Sequence, residues 1–244
     1  MKILEDFTML RIVFIVCFLT ASFAHADEST IGAGHISVDK KAFLAADTGG
    51  KAKMLCGGCH GEDGTGDRFY GREALWGTPM IRGLNKTYFL EQLARYQSGE
   101  RIQESADPDK PGEMNALMTN SAMSQQIMED LSAHYANLER LSLDEDVATE
   151  LDSAGKEMFV AGEKVFSGTC IACHGPHGAG MSQSPMPHLA GQIAIYTEKR
   201  LHFYQTQTGS GGPAIMTGIL QSAALSDDDI KHVAFYLENV VGKR

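Results

Sequence analysis

The most regular helical pattern of the chain lies near its C-terminus. Residues 226–229 read SDDD, which is typical of a helix N-cap, so we predict that a helix begins after Ser226. The apolar residues that follow recur with the spacing of one helix face, at Ile230, Val233, Ala234, Leu237 and Val241. No stretch alternates apolar and polar residues for long enough to predict a strand, so the fold class is predicted to be all-α.

The same pattern occurs a second time in the first half of the chain. Ser124 lies 102 positions before Ser226, and apolar residues follow it at Met128, Leu131, Tyr135 and Leu138. Further landmarks recur 108 positions apart, as the pairs Pro79 and Pro187, Tyr88 and Tyr196, Leu93 and Leu201, and Tyr96 and Tyr204. Such a repeat indicates a duplicated helical domain of roughly 110 residues.

The repeat and the chain ends together predict four segments. Residues 1–26 read as a signal peptide, because Arg11, a short apolar run at 12–20 and Ala-His-Ala at 24–26 follow one another. Residues 27–142 form the N-terminal domain, residues 143–154 a linker with an acidic start, and residues 155–244 the C-terminal domain. Met9 is an alternative start, and a retained N-terminal anchor helix is the alternative to cleavage. We expect export to the periplasm.

Composition and charge restrict the possible partners. The 244 residues are 43% hydrophobic and 21% charged, which is an ordinary balance for a globular protein. The formal net charge is -10, and no run of Lys or Arg is present, so no nucleic-acid partner is expected. After signal cleavage, no remaining segment is apolar enough to predict a membrane span.

The cysteines carry the most specific chemical signal. Cys17 leaves with the predicted signal peptide. The other four form two C-x-x-C-H motifs, made of Cys56, Cys59 and His60 and of Cys170, Cys173 and His174. This motif is the attachment signature of c-type haem. Two thiols on one helical turn can form thioether bonds to one porphyrin, and the adjacent His can bind its iron. We therefore predict two covalently bound haem c groups.

Paired cysteines have three other common uses. Disulfides occur in exported proteins, but they leave the His after each pair unexplained. A four-cysteine zinc site requires both motifs to converge, although they lie 114 positions apart. A thioredoxin-type pair requires a βαβ pattern, which is absent. The haem interpretation is favoured over all three.

A haem iron held by His on one side needs a ligand on the other, and an electron carrier uses Met or a second His. When the two halves are aligned on their capping serines, Met114 and Met216 fall at equivalent positions. We predict that both are axial ligands of haem iron. Met118 and Met123 are the alternatives in the first half.

With these motifs, the chain resembles the dihaem class I cytochromes c of the cytochrome c4 type. The resemblance is carried by both C-x-x-C-H-G runs, by PHLAGQ at 187–192 and by LSDDDI at 225–230. It implies two tandem class I cytochrome c domains, each a small helical fold wrapped around one covalent haem, and it also implies His/Met ligation. In this family a proline carbonyl accepts a hydrogen bond from the iron-bound imidazole, which implies that role for Pro79 and Pro187.

The first half departs from the family pattern in two places. Residues 82–84 read RGL where the second half has AGQ at 190–192. Eighteen positions separate Tyr96 from Met114, whereas twelve separate Tyr204 from Met216. The additional residues belong to a polar segment at 105–112, and they keep Met118 open as an alternative ligand.

Both halves also supply an apolar wall for a haem. We expect this wall to consist of Tyr88, Phe89, Leu93 and Tyr96 in the first half and Tyr196, Leu201, Phe203 and Tyr204 in the second. Apolar enclosure and a thioether ligand both raise the reduction potential of a haem.

The function that the resemblance implies is electron transfer in the periplasm, without substrate chemistry. Expected partners are redox proteins such as a terminal oxidase, a quinol–cytochrome c reductase or a dehydrogenase. The alternative is the cytochrome subunit of a dehydrogenase complex, similar to the flavocytochrome sulfide dehydrogenases. A third interpretation is a dihaem enzyme, such as a peroxidase or a thiosulfate-oxidising cytochrome, which would keep one iron position open.

Overall fold

The structure is a computed structural model, and its described residues are 30–33, 36–66, 77–102, 112–120, 123–140, 147–181, 186–206 and 213–241. The predicted signal peptide lies outside the described residues, as do positions 143–146 of the predicted linker and positions 105–111 of the polar segment.

Helices dominate both halves, which confirms the predicted all-α class. The first half contains α1 (Lys40–Ala45), α2 (Thr48–Leu55), α3 (Gly57–His60), α4 (Lys86–Ser98), α5 (Glu113–Asn120) and α6 (Gln125–Ala136). The second half contains α7 (Val147–Glu150), α8 (Ser153–Thr169), α9 (Ile171–His174), α10 (Ala194–Thr206), α11 (Ala214–Ala223) and α12 (Asp227–Asn239). Within the described ranges, no helix has both the length and the apolar character that crossing a membrane requires.

A short β-hairpin precedes the first helix, and the sequence pattern did not predict it. Strands β1 (Thr30–Ala33) and β2 (Ile36–Asp39) pair antiparallel, with Thr30 opposite Asp39. Four residues are too few for an alternating pattern to be recognised. Strand β1 packs against α5, so the hairpin is part of the N-terminal half.

Both predicted helix caps are present. The Ser226 hydroxyl accepts a hydrogen bond from the backbone N–H of Asp229 at 3.1 Å, and the Asp229 carboxylate accepts one from the backbone N–H of Ser226 at 3.1 Å. In the first half, the Ser124 hydroxyl accepts from the backbone N–H of Ile127 at 3.3 Å. Helices α6 and α12 therefore begin where the sequence predicted, because each capping side chain pairs with an otherwise unpaired backbone donor.

Each half has a hydrophobic core of its own. The first core includes Leu55, Leu131 and Tyr135, which are at most 1% exposed. The second core includes Phe159 and Tyr236, whose rings meet edge to face with their centroids 5.0 Å apart. Two separate cores are what tandem domains require.

Helices α8 and α12 pack directly against each other in the second core. They pack at Gly162, where an added Cβ atom would lie 2.0 Å from the backbone oxygen of His232. Glycine is therefore required for these two backbones to approach so closely.

The segment that contains Pro79 in the first domain and the segment that contains Pro187 in the second are called the proline segments. Both are held by the same backbone hydrogen bond. The backbone N–H of Gly83 donates to the carbonyl of Tyr135 in α6 at 2.8 Å. The backbone N–H of Gly191 donates to the carbonyl of Leu237 in α12 at 2.7 Å. The last helix of each domain thus holds the proline segment beside the C-x-x-C-H motif.

Candidate haem sites

Each C-x-x-C-H motif forms a short helical turn directly after a longer helix. The first motif follows α2 and forms α3, and the backbone N–H of His60 donates to the carbonyl of Cys56 at 2.8 Å. The second follows α8 and forms α9, and the backbone N–H of His174 donates to the carbonyl of Cys170 at 3.0 Å. One turn thus carries two thiols and an imidazole, the groups that attachment of one haem requires.

The imidazole of His60 is oriented by the proline segment of its own domain. Its Nδ1 atom donates a hydrogen bond to the backbone carbonyl of Pro79, with 2.7 Å between N and O. A carbonyl can only accept, so Nδ1 carries the proton and Nε2 of the neutral ring has the lone pair. Burial lowers the pKa of His60, although the bond to Pro79 acts in the opposite direction. The side chain is thereby held in a tautomer that can bind a metal.

His174 has the same arrangement in the C-terminal domain. Its Nδ1 atom donates to the backbone carbonyl of Pro187 at 3.1 Å, and burial lowers its pKa. The side chain is 4% exposed, and among the described residues its Nε2 atom has no hydrogen-bond partner. A buried nitrogen without a partner is unfavourable unless something else binds it. A haem iron fits that requirement.

The thiol of the first cysteine in each motif is held in the uncharged form. Burial raises the pKa of Cys56 to about 12 and that of Cys170 to about 11. A reactive thioredoxin-type cysteine shows the opposite shift. In the part of the chain that the structure describes, no three or more His, Cys, Asp or Glu side chains form a group that could hold a metal ion. The first observation disfavours a thioredoxin-type pair, and the second disfavours a four-cysteine zinc site.

One cavity contains both sites. Its volume is about 440 Å³, and its wall includes both C-x-x-C-H motifs together with Pro79 and Pro187. All eight side chains of the predicted apolar wall line it, namely Tyr88, Phe89, Leu93, Tyr96, Tyr196, Leu201, Phe203 and Tyr204. The cavity continues from one domain into the other, so the structure brings the two candidate sites together.

The predicted methionine ligands lie on two equivalent helices beside this cavity. Met114 is in α5 and Met216 is in α11, and both line the cavity wall. Met118 lies one helical turn after Met114, is 0% exposed and is not part of that wall. Its counterpart 102 positions later is Leu220, which is 2% exposed and lines the cavity. Met118 itself belongs to the buried hydrophobic core of the first domain.

Met123 is the second alternative, and it does line the cavity. Its counterpart in the C-terminal domain is Leu225, which lines the cavity as well but cannot bind iron. The backbone carbonyls of these two residues also have equivalent roles, because each accepts a hydrogen bond from a glutamine side chain, Gln97 at 3.0 Å and Gln205 at 2.9 Å. The repeat therefore assigns Met123 a packing position and leaves Met114 opposite Met216.

The sequence pattern does not predict a buried arginine that lies between the domains. Arg101 is 4% exposed, and its Nη2 atom donates to the hydroxyl of Tyr196 in the other domain at 2.6 Å. Its Nη1 atom donates to the side-chain oxygen of Gln92. The position 108 residues later is Gly209, so the repeat gave no signal for Arg101.

The guanidinium of Arg101 lines the same cavity as the motif histidines. Among the described residues, no ion pair includes it and its Nε atom has no hydrogen-bond partner. A buried cation is stable only near a counter-charge. The carboxylates of a porphyrin would supply that charge, so Arg101 also fits a cavity that holds haem.

Comparisons with known proteins agree with this geometry. The sequence profile of the cytochrome c family matches the chain twice, at residues 47–139 and 159–240. Cytochrome c4 of Pseudomonas aeruginosa is 31% identical over 196 residues, which cover 78% of this chain and 87% of that protein. A thiosulfate dehydrogenase electron acceptor of Stutzerimonas stutzeri is 31% identical over 189 residues, which cover 78% of this chain and 80% of that protein.

A solved structure shares the fold over most of the chain. Reduced recombinant cytochrome c4 from Pseudomonas stutzeri matches with a TM-score of 0.55 at 29% identity, and the match covers 80% of this chain and all of that chain (100%). Each profile match contains one attachment motif and most of one hydrophobic core. The chain therefore belongs to the cytochrome c family, in its dihaem cytochrome c4 type, and binds two haem c groups covalently, one in each domain.

Proposed function

We propose that this protein is a periplasmic electron carrier without substrate chemistry of its own. In this proposal, His60 and Met114 would hold the iron of the first haem, and His174 and Met216 would hold that of the second. The observation that carries the proposal is that all four side chains line one cavity, at equivalent positions of two repeated domains. The electron-carrier role of cytochrome c4 relatives supports it.

The bound haems supply one-electron redox chemistry. The chain fixes each imidazole through a proline carbonyl, at 2.7 Å for His60 and 3.1 Å for His174. That bond keeps the proton on Nδ1 and raises the basicity of Nε2. A methionine thioether from α5 or α11 would be the second protein ligand of each iron. Neither iron would then have an open position for a substrate.

The wall of the cavity favours rapid electron transfer. Most of its lining is aromatic or apolar, and such a wall around bound haem would stabilise the reduced state and limit solvent reorganisation. Because both sites open into one cavity, an electron that enters through one domain can pass to the other within a single chain.

The proposed release of the mature chain into the periplasm depends on cleavage after Ala26. The segment before Asp27 has the pattern of a signal peptide, which supports export of the chain. N-terminal sequencing of the mature protein from the periplasmic fraction tests this. A mature chain that starts at Asp27 agrees with the proposal, and a retained residue 1–26 segment contradicts it.

A dehydrogenase is the partner that a specific observation favours. The Stutzerimonas stutzeri relative is a thiosulfate dehydrogenase electron acceptor, and it matches this chain across both domains. A second candidate function is therefore the electron-accepting component of a dehydrogenase. Affinity purification from the native host distinguishes these two functions. A stoichiometric complex with a catalytic subunit would identify a dehydrogenase component. A free monomer that a dehydrogenase reduces would identify a diffusing carrier.

The ligand assignment is tested by the charge-transfer band of the ferric iron–thioether bond. We expect Met114→Ala and Met216→Ala each to remove about half of the band, because each eliminates one of two thioether ligands. Met118→Leu is the matched control, since it places the residue of the equivalent position 220 in the core, and it should keep the whole band. Full band intensity in both alanine variants would overturn the assignment.

A further inference from the structure

The two proline segments differ in one contact that crosses between the domains. The backbone N–H of Met80 donates to Oε1 of Gln192 at 2.8 Å, and Nε2 of Gln192 donates back to the carbonyl of Met80 at 3.1 Å. Met80 is 2% exposed and Gln192 is 7% exposed, so both bonds are shielded from water. One amide side chain of the C-terminal domain thus makes two hydrogen bonds to the backbone of the N-terminal proline segment. We call this pair of bonds the Gln192 clamp.

The reverse contact cannot form in the same way. The counterpart of Gln192 in the first repeat is Leu84, which has no amide group. The counterpart of Met80 in the second repeat is His188, whose Nδ1 atom donates to the carbonyl of Ala179 in its own domain at 3.1 Å. The first proline segment is therefore held directly by a side chain of the other domain. His188 of the second segment is held within its own domain, although the carbonyl of Ala179 also accepts from Nη1 of Arg140 in the first domain at 2.6 Å.

The clamp acts on the peptide group that orients His60. The carbonyl of Pro79 and the N–H of Met80 belong to the same planar peptide unit. The carbonyl accepts from Nδ1 of His60 at 2.7 Å, and the N–H of that unit donates to Gln192. A hydrogen bond at one end of a peptide polarises it and strengthens the bond at the other end. A rigid unit that is bound at both ends also keeps its direction.

We propose that Gln192 is a positioning residue for the first haem site. Through the Pro79–Met80 peptide it sets the direction and strength of the His60 hydrogen bond. The reduction potential of the first haem therefore depends on the position of the C-terminal domain. Among the described residues, no side chain of the first domain bonds to the Pro187–His188 peptide, so the second haem lacks the same direct dependence. This inference rests on the proposed role of His60 as an iron ligand.

The test compares solvent exchange of the two Nδ1 protons in the intact ferric protein, by NMR of histidine-labelled samples. In Gln192→Leu the Nδ1 proton of His60 should exchange roughly tenfold faster, since loss of a supporting hydrogen bond changes an opening equilibrium by about that factor. The Nδ1 proton of His174 should keep its wild-type rate. The reduction potential of the first haem should shift upward, because a weaker bond makes the imidazole less basic, while that of the second stays unchanged.

Two further variants keep the test decisive. Gln192→Asn retains an amide but is one methylene too short to make both bonds, so it should show the same selective effect if Gln192→Leu does not fold. Gln205→Leu is the matched control, because it removes an amide-to-carbonyl bond, to Leu225 at 2.9 Å, that lies within the C-terminal domain. It should leave the exchange of the His60 proton unchanged.

The outcomes separate this inference from the proposal on which it rests. If wild-type His60 lacks the paramagnetic shift of an iron ligand, the ligand assignment fails. If His60 has that shift but its proton exchanges at the wild-type rate in Gln192→Leu or Gln192→Asn, the positioning role fails. Equal changes at His60 and His174, or the same change in Gln205→Leu, would also overturn it.

Discussion

The guanidinium of Arg101 and the hydroxyl of Tyr196 lie 2.6 Å apart and join the two domains beside the shared cavity. Arg101 also stacks on Tyr96, with its guanidinium carbon 4.8 Å from the ring centroid. These contacts hold a positive charge in a buried position where no carboxylate of the described residues pairs with it. The charge therefore acts on whatever occupies the cavity.

Arg101 should raise the reduction potential of the haem nearer to it. A fixed positive charge disfavours the ferric state, so Arg101→Met should lower that potential by an amount on the order of 1 kcal/mol, at the effective dielectric of a protein site. Arg101→Lys keeps the charge but not the planar hydrogen-bonding geometry, and it should stay closer to the wild type. Spectroelectrochemical titration measures both. An unchanged pair of potentials in Arg101→Met would contradict this role.

The contact between α8 and α12 predicts opposite effects for two glycines of the same helix. Gly162→Ala should destabilise the C-terminal domain by about 1–3 kcal/mol, because the new Cβ atom would lie 2.0 Å from the oxygen of His232. Gly168→Ala is the control, since no atom lies within 4 Å of the added Cβ atom there. It should be neutral or stabilising by up to about 1 kcal/mol, because alanine restricts the unfolded chain.

Chemical denaturation of both variants, followed by circular dichroism, checks this prediction. A Gly162→Ala variant as stable as Gly168→Ala would mean that the two helices can separate without loss.

The cap of α12 predicts a pH-dependent difference in stability. Hydrogen bonds from Ser226 hold the pKa of Asp229 below its ordinary value of 3.8. A carboxyl group whose pKa is lower in the folded state stabilises the fold above its unfolded pKa and loses that contribution as the pH falls through its folded pKa. Ser226→Ala should therefore lower the free energy of unfolding by about 0.5–2 kcal/mol at neutral pH.

The difference between Ser226→Ala and the wild type should become smaller as the pH falls below the ordinary pKa of 3.8 and through the lower folded pKa of Asp229. Ser226→Thr keeps the hydroxyl and should retain most of the stabilisation that the cap provides. Urea unfolding at several pH values measures it, and a difference that stays constant down to pH 2 would be inconsistent with the cap as described.

The repeat explains why so much of the candidate site could be predicted from sequence. Helix caps and apolar stripes are local patterns, and α12 begins after Ser226 for that reason. Duplication adds a second copy against which each position can be compared. That comparison separates Met114, opposite Met216, from Met118, opposite Leu220, and the burial of Met118 agrees with it.

The contacts between the domains could not be predicted in the same way. Gln192 and Met80 are 112 positions apart, and no periodic pattern relates them. Arg101 has a glycine as its counterpart, so comparing the two repeats does not identify it as a functional residue. Such side chains depend on how two finished domains pack, which is a property of the tertiary structure. The strands β1 and β2 were missed for a different reason, because each has only four residues.

The spin state of the ferric protein tests the central claim most directly. If a histidine and a methionine bind each iron, both haems are low-spin, and electron paramagnetic resonance of the oxidised mature protein should contain only low-spin signals that integrate to two irons per chain. A low concentration of cyanide should leave these signals unchanged. A high-spin signal, or rapid cyanide binding to one haem, would reveal an open iron position and contradict a carrier without substrate chemistry.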